Sequence, residues 1–258
     1  SLQVATEDDS AAPEHMLEIP ESHDFFGHEL QTYWLAPIAD NLVYLKLYAS
    51  DMFFGMYPKC NLPSLPKLRT LLLGNISIVN DDQIDWILSH AATLEELVLD
   101  DAMIAVGARF LERSVDTDKQ CVLYSPPEIK DGRPSYQPKT DRMAPKQKWL
   151  WATRWHHVFT RLQQGLPKLK RFAFGHGKWD DHLAFDEADV LMSELRGARY
   201  QYFDEGTGPY NWLEADSSDM AYNDWAEEYG EEVVYQPKCD EEDWQALKAL
   251  ILELKNRR

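Results

Sequence analysis

The sequence predicts an α/β fold of the solenoid kind: a curved parallel sheet with helices on its convex side, a long insertion and a C-terminal capping helix. Three observations lead there. Apolar phrases of one pattern, L-x-x-L-x-L, begin at Leu42, Leu68 and Leu94, a constant step of 26 residues (68 − 42 and 94 − 68). Stretches with the apolar spacing of helices lie between and after these phrases. The chain closes on a strongly helical segment, residues 240–257.

The strand phrases come first. Leu42-Val-Tyr-Leu45-Lys-Leu47, Leu68-Arg-Thr-Leu71-Leu-Leu73 and Leu94-Glu-Glu-Leu97-Val-Leu99 fit the leucine-rich-repeat template. Leu169-Lys-Arg-Phe172-Ala-Phe174 fits with aromatics in place of two leucines, and Gly197-Ala-Arg-Tyr200-Gln-Tyr202 is a degenerate fifth copy. Such repeats recur at about 20–29 residues. The fifth copy follows the fourth at a compatible step of 28 (197 − 169). The fourth follows the third by 75 (169 − 94), so that interval holds either one repeat with an insertion or further unrecognised repeats. The Leu-Pro-Lys-Leu phrases at Leu65 and Leu166 mark helix-to-strand corners. Proline stops the preceding helix, and its missing N–H does no harm there.

The intervening helices follow in order. Residues 80–90 open with acids, which the helix dipole favours, and carry Ile84, Ile87 and Leu88 at helical spacing. Residues 103–111 are expected as a further helix. Trp155, Val158, Phe159 and Leu162 form an apolar stripe ended by Gly165 and Pro167. Residues 187–195 are another helical candidate. In the last helix Asp240 caps the start, acids fill the first turn, and Lys255, Arg257 and Arg258 fill the last. Its apolar face is Trp244, Leu247, Ile251 and Leu254, and it is expected to cap the solenoid. Residues 25–258 thus read as one leucine-rich-repeat-like domain, with an insertion at about 113–148 and an acidic-aromatic tract at 204–243. Residues 1–24 are expected to be an acidic, disordered segment.

Composition narrows the function. The chain has 258 residues, 44% of them hydrophobic, enough for a sizeable core. No apolar run approaches the roughly 20 residues a membrane span needs. The N-terminus lacks the basic and apolar regions of a signal peptide. Cys60, Cys121 and Cys239 are odd in number and form no C-x-x-C pair, which favours an intracellular setting. A net charge of −18 argues against nucleic acid and anionic membranes as partners. The charge is uneven: residues 203–243 carry fourteen acids and one base, while 113–148 carry eight bases and five acids.

Chemistry-bearing motifs are sparse. There is no G-x-S-x-G elbow, P-loop or H-E-x-x-H. His176, Asp181 and His182 could serve a metal-dependent hydrolase, the enzyme alternative, but a polar loop after a strand accounts for them. His156 or His157 is expected as a satisfied, partly buried histidine. No catalytic residue, metal ligand or cofactor is assigned.

Binding is the better reading. In the repeat, positions three, five and seven of each strand point away from the helices, onto the concave face. They place Tyr44, Lys46, Tyr48, Thr70, Leu72, Glu96, Val98, Asp100, Arg171, Arg199, Gln201 and Phe203 on a candidate partner-binding surface. Aromatic anchors in polar surroundings are common interface chemistry. The acidic-aromatic tract 204–243 offers a second surface, suited to a basic protein.

Particular phrases sharpen a resemblance. Asp85-Trp-Ile-Leu-Ser-His90, then Thr93-Leu-Glu-Glu-Leu-Val-Leu-Asp-Asp101, then Arg154-Trp-His-His-Val-Phe159 leading into Gly165-Leu-Pro-Lys-Leu169, are similar to fungal F-box-like proteins with degenerate leucine-rich repeats. The similarity spans about residues 35–257. It implies the substrate-recruiting arm of an SCF-type ubiquitin ligase. Residues 1–40 hold no F-box, so an adaptor contact requires one outside this chain. An acidic adaptor for basic proteins, with no ubiquitin link, is the alternative.

Overall fold

Leucines at the fourth and sixth template positions are buried in every one of the first three phrases, and phenylalanines take their place in the fourth. Leu45 and Leu47, Leu71 and Leu73, Leu97 and Leu99, and Phe172 and Phe174 share one hydrophobic core. Alternation along a strand sends such residues to one face. The computed structural model describes residues 2–4, 20–49, 53–56, 58–111, 115–116, 121–122, 129–130, 133–134, 146–175, 199–204, 208–210 and 236–257. The fold is α/β, with parallel strands in two sheets.

The first sheet runs in the order β1 (Leu2–Val4), β2 (Tyr44–Ala49), β3 (Thr70–Gly74), β5 (Glu96–Asp100), β12 (Arg171–Gly175), all parallel. Tyr44 pairs with Thr70, Thr70 with Glu96, and Glu96 with Arg171. The 26-residue step is therefore the register of the sheet. Across the interval between Leu94 and Leu169, β12 pairs directly with β5, so among the described residues no strand of this sheet lies between them.

A corner follows β3 and β5. Asn75 and Asp101, again 26 apart, have φ of 60° and 47°. Asparagine and aspartate enter this left-handed region more readily than most residues. The Asn75 amide donates to Asp100 O at 2.9 Å, and the Asp101 amide to Gly175 O at 2.9 Å. Asn75 Nδ2 reaches back 26 residues to Ala49 O at 2.6 Å. Past the corner each unit adds a strand to the second sheet, β4 (Ser77–Ile78) and β6 (Met103–Leu111), which pair in parallel. Phe54 bridges Ile76 at the same level.

Residues 103–111 are thus a strand, not the helix their sequence suggests. A short apolar run carries no decisive period. β6 is paired along both edges and its residues 103–108 are all buried, which suits a continuous apolar strand. The second sheet continues through β11 (Lys146–Leu150), antiparallel to β6, and β13 (Tyr200–Asp204), parallel to β6 and antiparallel to β14 (Gly208–Tyr210). The fifth repeat phrase therefore does not extend the first sheet. Its strand, β13, lies against β6 with a register shift at Gln201/Tyr202.

Four α-helices are described: α1 (Pro20–Asp24), α2 (Asp81–Leu88), α3 (Trp155–Gly165) and α4 (Asp240–Asn256). α2 begins with a capping box, Asn80 accepting from the Gln83 amide while Gln83 reciprocates. Gln83 also ties the second ladder together, donating to Ser77 O at 2.9 Å and Gly55 O at 3.3 Å. Gly55 has φ of 106°, and a Cβ there would lie 2.6 Å from Ser77 O. α3 and α4 pack against each other and against the strand leucines through Trp155, Val158, Phe159, Leu162, Leu247, Leu250 and Leu254. Trp244 and Ile251, expected on the buried face of the last helix, are partly buried beside this core. Arg257 fastens the far end of α4, donating to Leu166 O at 2.7 Å and Gln163 O at 2.9 Å.

Of residues 1–24, expected as a disordered segment, residues 1 and 5–19 lie outside the described residues. Leu2–Val4 form β1 and Pro20–Asp24 form α1. α1 runs into a π-helical stretch, Phe25–Leu35, and a 3-10 helix, Ala36–Asn41. Phe26 stacks on Phe54 at 4.9 Å and seals that end of the core. Within the insertion, β7 (Val115–Asp116) pairs with β8 (Cys121–Val122), and β9 (Ile129–Lys130) with β10 (Arg133–Pro134), both antiparallel. The helix expected over 187–195 lies outside the described residues, as do His176, Asp181 and His182. Among the described residues, no helix is long and apolar enough to cross a membrane.

Candidate functional site

The outward positions of the first sheet form three rows. The register aligns Tyr44, Thr70, Glu96 and Arg171 in the first. It aligns Lys46, Leu72, Val98 and Ala173 in the second, and Tyr48, Gly74, Asp100 and Gly175 in the third. Nine of the twelve residues proposed for partner binding therefore stand side by side on one sheet face.

Their exposure differs from the expectation. The first row is half-buried throughout, as is Lys46. Glu96 and Arg171 are ion-paired, and Thr70 Oγ1 lies 3.5 Å from Glu96 Oε2. Leu72, Val98 and Ala173, by contrast, form a small buried cluster against Tyr44. Tyr48 and Asp100 are buried too. Tyr48 lies over Gly74, where a Cβ would sit 2.0 Å from the Tyr48 ring. Tyr48, Leu72 and Val98 are thus not the exposed anchors that the strand pattern suggests. Alternation assigns a face to each residue but not whether that face meets water.

Arg199, Gln201 and Phe203 are not on this face. All three are buried on or beside β13 in the second sheet. Gln201 donates to Ser77 Oγ, and Phe203 packs with Met56, Ala105 and Ala108.

Arg199 leads to a cluster that sequence reasoning misses. Asp243, in the first turn of α4, has no exposed surface. Its Oδ2 accepts from Arg199 Nε at 2.9 Å and Tyr200 OH at 2.6 Å, with Cys239 Sγ at 3.5 Å. Its Oδ1 lies 2.9 Å from both the His156 amide and His156 Nδ1. Tyr200 OH accepts from the Trp155 amide at 3.0 Å, and Trp155 Nε1 donates to Arg199 O at 2.8 Å. Asp240 closes the set with an ion pair to Arg199. One carboxylate therefore joins α4, the start of α3 and the start of β13.

The electrostatics match this geometry. Burial alone pushes the Asp243 carboxyl up, but hydrogen bonds from Tyr200, His156 and Arg199 outweigh it and hold it below the ordinary carboxylate range. Burial, with the adjacent Asp243 charge, pushes the Cys239 thiol up, so it is protonated at neutral pH. Burial raises the Tyr200 phenol as well, and its hydrogen bond to Asp243 adds to the effect. The group is an anion neutralised by a buried cation, with no hydroxyl or thiol activated for attack. His156 is the partly buried, satisfied histidine expected of the His156–His157 pair. Asp243 was legible only as one of four acids suited to a helix N-terminus. Its spacing of four from Cys239, which puts both on one helix face, is the one signal that marks it. His156 Nδ1, Cys239 Sγ and an Asp243 oxygen all lie within 4.8 Å of one another, the grouping among the described residues with metal-ligand chemistry.

Comparison with known proteins finds no matching family model, no matching curated protein and no matching solved structure.

Proposed function

We propose that this chain is a non-enzymatic protein-interaction module, a leucine-rich-repeat-like solenoid that engages a protein partner through the outer row of its parallel sheet. The row of Tyr44, Thr70, Glu96 and Arg171 carries the proposal, because it is in register on four adjacent strands and remains half-buried rather than sealed. Adjacent strands lie about 4.8 Å apart, so the row presents an aromatic ring, a hydroxyl, an anion and a cation at fixed spacing. Tyrosine and arginine are the side chains most often found at energetic centres of interfaces. Lys46 borders the row, and the buried Leu72, Val98 and Ala173 form an apolar cluster beside it on the same face, packed against Tyr44. A recruiting role in an SCF-type ubiquitin ligase follows from the resemblance to F-box-like proteins, and adaptor contact needs an F-box outside this chain.

Quantitative affinity capture with the wild-type chain and a Tyr44→Ala/Arg171→Ala variant tests this reading. Loss of two anchors is expected to weaken a specific partner by about 2 kcal/mol or more, roughly thirtyfold. Equal recovery of every captured protein by the two forms sinks it. Partners kept by the variant but released steeply by salt favour the acidic adaptor instead.

A further inference from the structure

We propose that His156, Cys239 and Asp243 bind one divalent transition-metal ion of the zinc class, clamping α4 onto α3. The ligand set is one imidazole nitrogen, one sulfur and one carboxylate oxygen, the borderline donors that zinc takes and that magnesium and calcium do not. An ion about 2.0–2.3 Å from each ligand requires ligand atoms roughly 3.3–3.7 Å apart in tetrahedral geometry. His156 Nδ1 and Asp243 Oδ1 are 2.9 Å apart, Cys239 Sγ and Asp243 Oδ2 are 3.5 Å apart, and all three groups fall within 4.8 Å. The two short distances involve different oxygens of the carboxylate, so gathering one atom from each residue onto an ion takes movements of up to about 1 Å.

The surroundings are built for an oriented ligand. Cys239 and Asp243 are one turn apart at the start of α4, and both are buried. Arg199 and Tyr200 hold Asp243 Oδ2, which leaves Oδ1 turned to His156. Hydrogen-bonded partners of this kind fix a ligating carboxylate. His156 keeps about a quarter of its side chain exposed, which gives an ion its way in. The fourth position is then open to water on that side. Arg199 does not forbid the ion. Once the thiol ionises, the charges of the ion and Arg199 are balanced by Asp240, Asp243 and the thiolate. Binding releases the Cys239 thiol proton to solvent, and the proton His156 donates from Nδ1 to Asp243 moves to Nε2 so that Nδ1 can take the ion.

Cobalt(II) titration of the metal-free full chain tests the site, with zinc as competitor. The expected result is one ion per chain, visible d–d bands of tetrahedral intensity and a near-ultraviolet thiolate-to-cobalt band, all displaced by zinc. Cys239→Ser should abolish the thiolate band, and His156→Gln should weaken binding about tenfold or more. A Cys60→Ser/Cys121→Ser variant should leave the spectrum unchanged. Absence of the thiolate band in the wild-type chain overturns the proposal whatever the variants do. Its survival in Cys239→Ser, or its loss in the Cys60/Cys121 variant, overturns it equally.

Discussion

Asp243 shows how one side chain can hold three elements together. A buried carboxylate is costly unless paired and hydrogen-bonded, and here Arg199, Tyr200, Cys239 and His156 all converge on it. Removing the charge leaves Arg199 buried beside a neutral amide. Asp243→Asn is therefore expected to cost about 3–5 kcal/mol, read as a lower urea midpoint with an unchanged slope. Asp240, also paired with Arg199 but three-quarters exposed, gives the contrast. Asp240→Asn is expected to cost no more than about 1 kcal/mol. Equal losses would show that the partner count, not burial, governs this group. Sequence placed Asp243 in the right helix turn for a different reason, the favour of acids near a helix N-terminus. Nothing within a few residues of it announces Arg199, which is 44 positions away.

Among the elements, the corner after β3 and after β5 is the one that leads the chain from the first sheet into the second. Asn75 adopts φ of 60° and spends its side chain on Ala49 O in the preceding unit. Two costs can be separated by mutation. Asn75→Gly keeps the backbone conformation free and loses the hydrogen bond, an expected loss of about 1 kcal/mol. Asn75→Ala loses the bond and adds a left-handed strain of about 1–2 kcal/mol, so its denaturant midpoint should fall further. If alanine is no worse than glycine, the corner is not held in that conformation. The same corner explains why residues 103–111 escaped a correct assignment. Their apolar run is long enough for a helix, and only the pairing of β6 with β4, β11 and β13 selects the strand.

Across the whole molecule, pH acts through groups that titrate on the acid side of neutrality. His90 is buried after α2, with Nε2 unpartnered and Nδ1 3.4 Å from Ile87 O. Burial pulls its pKa below 6.5, against the raising effect of the Ile87 and Trp86 carbonyls. His157 is lowered too, by burial first and then by the neighbouring His156 and Arg154. A lowered imidazole means that the unfolded chain takes up the proton first. Stability is then full above 6.5 and declines as pH falls below it, levelling once the folded values are passed. The lowered Asp243 carboxyl adds a second loss only as pH falls below 3.8 toward its folded value. Urea midpoints measured across this range should show both declines, and His90→Asn should flatten the upper one. A variant with the wild-type slope would remove His90 from the account.

Sequence by itself determined which residues face the core. The leucines at the fourth and sixth positions of the repeated phrase, the stripe of α3, and Leu247 and Leu254 of α4 are all buried as their spacing requires. It also determined the register, since a 26-residue step became the pairing of Tyr44, Thr70 and Glu96. Such features are local: period two or 3.6 is written within one element, and a repeated period copies it to the next. Tertiary structure alone decided that β12 docks directly on β5 across 75 residues, because closing a longer loop adds little entropy and leaves no mark on the flanking phrases. It alone sent Arg199, Gln201 and Phe203 to a second sheet and covered Leu72 and Val98. It alone brought His156, Arg199, Cys239 and Asp243 to one point. Those outcomes depend on which distant surface reaches a residue, and no periodicity within a strand or helix carries that information.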